Sequence, residues 1–274
     1  MSLPAYGSTD VASDLSQRVV LLTGATGGLG RELAMSFAAR GATVVLHARI
    51  VHKLEQLYDE IVAAGHPQPS ILPLDLAEAT AEDFGNVASA IRAQLGRLDA
   101  VVHTAALLGS LGPVEHQSFD AWQKVIRVNL VAAMALTRSA LPLLSVAPDG
   151  CVIFTLDTRA SDPRAYWGAY AASKAGLLAL ATTLADECEG HNNLRINAVV
   201  PGPIRTPLRM LTHPGEDRAL LPTPDALAPL YLHLLGAQSK ADSGVRIDAR
   251  AWLAGQPASF PLVASSAASP AGRP

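Results

Sequence analysis

Tyr170 and Lys174 stand four residues apart in the run YWGAYAASK. Four residues is just over one helical turn, so on a helix the phenol and the ammonium share a face. A cation beside a phenol favours the phenolate and draws its pKa down from about 10, which makes a tyrosine a usable acid or base near neutral pH. Roughly 145 residues upstream, the turn TGATGGLG carries Gly24, Gly28 and Gly30. Glycines between a strand and a helix let the backbone approach a pyrophosphate, and the helix that follows points its first amides at the phosphates. Either feature alone is common. In this order they point to proton transfer beside a phosphate-bearing cofactor.

Pair and turn need a scaffold, and the chain has room for one. Its 274 residues can bury one full core, since α/β folds commonly run to about 250 residues as a unit. The net charge of −3 with 16% charged residues leaves no basic footprint for nucleic acid. No apolar run approaches the roughly 18 residues of a membrane span, and the polar start SLPAYGSTDVASD has no secretory core. No membrane partner and a cytoplasmic location are therefore expected. Cys151 and Cys188 fall in an expected strand and helix and cannot form a disulfide framework. The eight histidines show no ligand spacing, so no metal site is expected.

Apolar runs alternate with helical patterns along the chain. Strands are expected at RVVLLT, ATVVLHA, ILPLD, LDAVVHTAA, GCVIFTL, RINAVVPGP and GVRID. Helices are expected at LGRELAMSFAAR, from about His52 to Ala64, from Phe119 to Ser145, around Tyr170 to about Glu189, and from Pro224 to Leu235. Short apolar strands between helices make a parallel sheet covered on both faces, a doubly wound α/β fold with its crevice at the carboxyl ends of the strands. Residues 1–15 are expected to be a flexible segment, 16–250 a single domain, and 251–274, rich in Ala, Ser and Pro, a loose tail. The helices around Val131 to Leu144 and Ala175 to Leu184 are apolar on more than one face, so a homodimer or homotetramer is expected.

Across about residues 16 to 250 the chain resembles the short-chain dehydrogenase/reductase superfamily, whose fold is Rossmann-type. The motifs are TGATGGLG, Asp75 in PLDL, HTAA at 103–106, Asn129 in RVNL, the Tyr170–Lys174 pair and PGPIRT at 201–206. The resemblance implies cofactor contacts at Gly24, Thr26, Gly28, Leu29, Gly30, Asp75, Leu76, Thr104, Ala105, Ala106, Tyr170, Lys174, Pro201, Gly202, Ile204 and Thr206. It implies that Asp75 meets the adenine, that Asn129 holds a relay water, and that Tyr170 and Lys174 are catalytic. WGAYAASK and TPDALAPLYLHLLG resemble a bacterial reductase-like group without an assigned substrate.

Cofactor choice is legible at the end of the second strand. An acid there would bind a ribose 2′-hydroxyl and repel a 2′-phosphate; this chain has His47, Ala48 and Arg49. Arg49 can grip a phosphate bidentately, with Arg31 adding charge nearby, so NADP(H) is expected.

One position departs from the family. Its usual serine, thirteen residues before the tyrosine, is Asp157, flanked by Thr155 and Thr158. A carboxylate about 5 Å from the phenol oxygen raises the cost of a tyrosinate by roughly 3 kcal/mol at an effective dielectric of about 20. A neutral tyrosine that donates a proton is unaffected, so reduction is favoured over alcohol oxidation. An Asp-Tyr-Lys set also resembles the pteridine reductases of the same superfamily, although those often carry an arginine at the place of Gly28. Alternatively, Asp157 pairs with Arg159 or Arg164 and never meets substrate. Trp167 and Tyr166 are candidate substrate walls, and Leu208 to Leu221 a mobile lid. The expected activity is NADPH-dependent reduction of a carbonyl or C=N substrate through Tyr170, Lys174, Asn129 and Asp157. The alternatives are a pteridine-reductase-like enzyme and an NADP(H)-binding protein without turnover.

Overall fold

The computed structural model describes residues 13–190 and 193–263. Strand β1 (Val19–Thr23) leads through the glycine turn into α1 (Gly28–Ala39), followed by β2 (Thr43–Ala48), α2 (Val51–Ala63) and β3 (Ser70–Pro73). Next come α3 (Ala81–Leu95), β4 (Ala100–His103), α4 (Phe119–Ile126) and α5 (Ala132–Leu144). The second half holds β5 (Gly150–Thr155), α6 (Gly168–Glu187), β6 (Leu194–Val200), α7 (Pro207–Thr212) and α8 (Ala228–Leu235). It closes with β7 (Val245–Asp248), α9 (Ala249–Leu253) and β8 (Ser259–Pro261).

The eight strands form one sheet in the order β3-β2-β1-β4-β5-β6-β7-β8. The first seven are parallel, as expected, and β8 pairs antiparallel with β7. Every residue of β1, β4, β5 and β6 is buried, which is why these strands read as mainly apolar runs, with Arg195 and Asn197 of β6 buried among them. One apolar layer gathers Leu33, Phe37, Leu54, Ile61 and Tyr231 from α1, α2 and α8; the other gathers Val87, Ile91, Leu136 and Leu177 from α3, α5 and α6. Strand order reverses between β1 and β4, and such a switch point opens a crevice at the carboxyl ends.

Four features depart from expectation. Helix α3 was not anticipated, although Thr80 and Asp83 form a capping box, Phe84, Val87 and Ile91 make a buried stripe, and Gly96 ends it at φ +74°. The helix expected from Phe119 to Ser145 is instead α4 and α5 joined by a π-turn, Arg127–Val131, that contains Asn129. As one stretch of 26 residues, 119–144 is long and apolar enough to cross a membrane by length and composition alone. Here Ala132, Leu136, Ala140 and Leu144 are buried in the core instead. Part of the expected C-terminal tail is ordered, because α9 runs to Leu253 and β8 extends the sheet edge. The expected flexible start lies mostly outside the described residues, but Ser13 and Leu15 are buried and belong to the domain. On the outer face of α5 and α6, Val131, Met134, Ala172, Ala175 and Ala179 are exposed, where the sequence expects a second copy.

A partly buried ion cluster ties the sheet's entry points together. Asp149, just before β5, accepts from Arg18 at 2.8 Å and from Arg195 at 2.9 and 3.0 Å. Burial works to raise the Asp149 pKa, but the hydrogen bonds and charges of Arg195 and Arg18 prevail and hold it below the usual carboxylate value. A depressed folded pKa stabilises the fold above the unfolded carboxyl's pKa and loses that contribution as pH falls. Asp149→Ala removes the carboxylate shared by buried Arg195 and partly buried Arg18 and is expected to cost about 2–3 kcal/mol at pH 7, less than a fully buried pair because both arginines keep carbonyl partners. Urea unfolding checks this: the gap between parent and variant should close as the pH falls through the acid range, and a gap under about 1 kcal/mol at pH 7 would refute it.

Candidate active site

A cavity of about 640 Å³ opens at the carboxyl ends of β1, β2, β4, β5 and β6. It is lined by every residue expected to meet a cofactor: Gly24, Thr26, Gly28, Leu29 and Gly30 from the glycine turn; Arg49; Asp75 and Leu76; Thr104, Ala105 and Ala106; Tyr170 and Lys174; and Pro201, Gly202, Ile204 and Thr206. Asp157 lines it too. Asn129 is buried outside the lining, its side chain receiving the Leu107 N–H at 2.7 Å and donating to the Leu107 carbonyl and to Ser173 at 2.9 Å each. It thereby pins the loop after β4 to α6.

Two glycines of the turn have no substitute. Gly24 sits at φ +70°, and a Cβ there would lie 2.8 Å from the Ala105 backbone. A Cβ on Gly30 would collide with the Gly24 carbonyl oxygen. The turn is thus pressed against the end of β4, where Thr104 Oγ1 donates to the Thr23 carbonyl at 2.5 Å. His47 completes this wall. Its Nδ1 accepts from the Gly24 N–H at 3.4 Å and its Nε2 lies 3.2 Å from the Leu74 carbonyl. Burial pushes its pKa down to about 4, so it is neutral at pH 7. Sequence reasoning registered His47 only as a missing acid, because a histidine inside an apolar strand gives no pattern of its own.

Tyr170 and Lys174 share α6, an alanine- and leucine-rich helix, but not a hydrogen bond. Lys174 Nζ donates to the Thr155 carbonyl at 2.9 Å and lies 5.8 Å from the centre of the Tyr170 ring. Burial lowers the Lys174 pKa to about 8, partly offset by Asp157. Tyr170 donates its hydroxyl to Asp157 Oδ2 at 3.2 Å. Burial, then the charge of Asp157 and this hydrogen bond, raise the phenol well above its ordinary pKa. The expectation that Lys174 draws the phenol down is therefore reversed.

Asp157 is held from behind. Its Oδ1 accepts the Arg159 N–H at 2.8 Å and the Thr158 hydroxyl at 3.2 Å, capping the turn Thr158–Ala160. Arg159 and Arg164 both pair with Asp162, so the alternative pairing with Asp157 does not form. Nor is Thr155 free to replace the missing serine, because its hydroxyl is 2.8 Å from that of Tyr231. Trp167 lines the cavity, whereas Tyr166 is exposed and does not. From the expected lid, Leu208, Arg209, Thr212 and His213 line it, with the His213 ring 6.1 Å from that of Trp167. Arg31, expected near the cofactor, pairs instead with Glu32 and Glu60 away from the cavity. The described residues contain no cluster able to hold a metal ion.

Residues 18–217 match the short chain dehydrogenase family. The chain belongs to that family. It is an oxidoreductase of the short-chain type, like the uncharacterized oxidoreductase YciK of Escherichia coli K12, which is 41% identical over 236 residues, covering 86% of this chain and 93% of the relative. A short chain dehydrogenase from Shigella flexneri, crystallised with NADP, superposes with a TM-score of 0.83 at 40% identity over 87% of this chain and 99% of its own. One from Escherichia coli CFT073, crystallised with NADPH, gives 0.84 at 40% identity with the same coverage.

Tyr170 in this short-chain dehydrogenase should titrate above the roughly 10 of an ordinary phenol. The difference in phenolate absorbance between parent and Tyr170→Phe isolates its titration from the other tyrosines. Asp157→Ala should move the midpoint down, since it removes charge and hydrogen bond together. A parent midpoint at or below 10 would contradict the site's electrostatics.

Proposed function

We propose that the chain is an NADPH-dependent reductase of carbonyl or C=N compounds. The observation that carries this reading is the Tyr170–Asp157 hydrogen bond at 3.2 Å in a buried setting. It keeps the phenol protonated at neutral pH, and a protonated phenol is the acid that reduction needs.

The cavity fits a dinucleotide phosphate. Gly24 and Gly30 leave the backbone bare where a pyrophosphate would lie against the start of α1. Arg49 is 62% exposed at the end of β2, and its contact with Asp75 is a long 4.0 Å, which leaves the guanidinium free for a 2′-phosphate. Asp75, whose Oδ1 is fixed by the Ala77 N–H, would border the adenine. The NADP- and NADPH-bound structural relatives support the same choice. When bound, NADPH supplies a hydride to an electrophilic carbon.

The chain's residues then manage the proton. Tyr170 donates to the oxygen or nitrogen of the reduced bond, so the acceptor gains one hydride and one proton and the cofactor leaves oxidised. Lys174 would hold the ribose. The Asn129 side chain is committed to Leu107 and Ser173, which leaves its main chain to hold a relay water. A second reading, reduction of a pterin-like nitrogen heterocycle, is favoured by the same carboxylate, which suits an acceptor with N–H donors.

NADPH is expected to bind at least tenfold more tightly than NADH, about 1.4 kcal/mol, with Arg49→Ala erasing most of the margin; equal affinities in the parent would end the cofactor claim. Turnover is checked by NADPH absorbance on aldehydes, ketones, cyclic imines and dihydropterins. Asp157→Ala should lower turnover about a hundredfold while cofactor affinity holds. A protein that binds NADPH yet reduces none of these compounds is a binding protein without turnover, and the reductase reading falls.

A further inference from the structure

The mouth of the cavity holds an arginine whose best edge is unused. Three arginines elsewhere in the chain grip carboxylates through Nε and Nη2 together: Arg97 on Asp99 at 2.9 and 2.6 Å, Arg195 on Asp149 at 2.9 and 3.0 Å, and Arg209 on Glu216 at 2.6 and 2.7 Å. That edge presents two parallel N–H bonds that match the two oxygens of a carboxylate. Arg159 behaves differently. Only its Nη1 is engaged, to the Asp162 carbonyl at 3.2 Å and the Asp162 carboxylate at 3.6 Å. Among the described residues, its Nε and Nη2 have no hydrogen-bond partner.

This guanidinium is also poorly neutralised for its depth. Its side chain is 18% exposed, while Asp162 is 54% exposed and lies closer to Arg164, at 3.0 Å. The ion is held in place by stacking over Trp167, 4.8 Å from the ring centre, and both residues line the cavity. A stacked arginine has lost much of its rotamer freedom, so little entropy remains to be lost on binding an anion. Nearby His213 is held below its ordinary pKa by burial and by Arg209 and Arg159, and being neutral it does not compete for the anion.

We propose that Arg159 binds a carboxylate of the substrate, so that the acceptor is a keto acid or a cyclic imino acid. The proposal rests on the reductase reading and deepens it. Charge placement fixes the orientation: Asp157, beside the Tyr170 hydroxyl, repels a carboxylate from the reacting end, while Arg159, two residues on, attracts it to the mouth. A substrate would enter with its C=O or C=N bond toward Tyr170 and its carboxylate over Trp167. Arg159 is then a specificity-determining residue that touches substrate but takes no part in proton transfer.

The test uses charged and neutral forms of the same acceptor. Acetoacetate, levulinate, phenylpyruvate and 1-pyrroline-2-carboxylate, each beside its methyl ester, are assayed with NADPH in the parent, Arg159→Leu and Arg159→Lys. In the parent, at least one acid should exceed its ester tenfold or more in kcat/KM, with the difference mainly in KM. Arg159→Leu should bring that ratio near one, and Arg159→Lys should keep part of it as a point charge. Parent ratios near one for all four pairs would overturn the proposal. Because Arg159→Leu removes a stacking partner of Trp167, calorimetry on the NADP-loaded parent gives an independent reading. Preferential binding of a carboxylate over its ester supports the role of Arg159 even where nothing turns over, an outcome that would sink the reductase reading alone. Equal binding of both forms there overturns the proposal.

Discussion

A buried phenol hydrogen-bonded to a carboxylate sets the terms for everything around it. In water a tyrosine and an aspartate are indifferent neighbours at pH 7. At 3.2 Å and mostly out of solvent, two negative charges would repel by about 5 kcal/mol at an effective dielectric of about 20. The pair therefore holds at least one proton between them across the neutral range. The lysine, which sequence spacing makes the obvious tuner, is spent on the Thr155 carbonyl and is itself weakened by burial. Tyr170 is thus governed by Asp157 and by desolvation rather than by Lys174.

The scaffold enforces this arrangement from several directions. Strand β5 ends at Thr155, whose carbonyl takes Lys174 and whose hydroxyl faces Tyr231 of α8. The next turn is capped by the same Asp157 that meets the phenol, so one carboxylate group does two jobs with its two oxygens. Tyr166, at φ +74° and with its carbonyl accepting from Gly112, turns the chain so that Trp167 begins α6 at the cavity wall. Asn129 joins α6 to the loop after β4 from within a π-turn, the kind of irregularity that long helices carry at functional sites. The site is over-determined by packing, which is what a strained tyrosine and a buried lysine require.

Much of this was legible in the residues, and the failures have physical reasons. The seven parallel strands were readable because the central ones, buried on both faces, are mainly apolar, and the half-buried outer strands β3 and β7 still keep short apolar runs. The glycine turn was readable because Gly24 and Gly30 answer to backbone collisions no other residue survives. Helix α3 was overlooked although its cap and stripe are ordinary, since a short stripe in a polar segment is easily read as loop. The π-turn at Asn129 and the edge strand β8 leave no pattern, as one is a register defect inside a helix and the other borrows its hydrogen bonds from β7. The partner of Tyr170 was only half legible. Spacing brought Asp157 within reach, but which of Lys174 and Asp157 meets the hydroxyl depends on where the Thr155 carbonyl points, and no spacing encodes that.

The same electrostatics bear on direction. An enzyme cannot alter the equilibrium between an alcohol and its ketone, and both directions pass through one transition state. It can choose the protonation state in which it waits. Alcohol oxidation starts from a base, and each unit by which the phenol's pKa lies above ambient pH leaves tenfold less tyrosinate to begin with. Reduction starts from the acid, which here is the resting form. A family member with a neutral hydroxyl in place of Asp157 imposes no such charge and can be poised nearer the middle by its lysine. In this chain the carboxylate moves the resting state to the proton-donating side, and Arg159 stands two residues further along the same turn. Opposite charges on one short turn give the mouth a polarity, so the group that sets the proton also sets which end of a charged substrate can approach it.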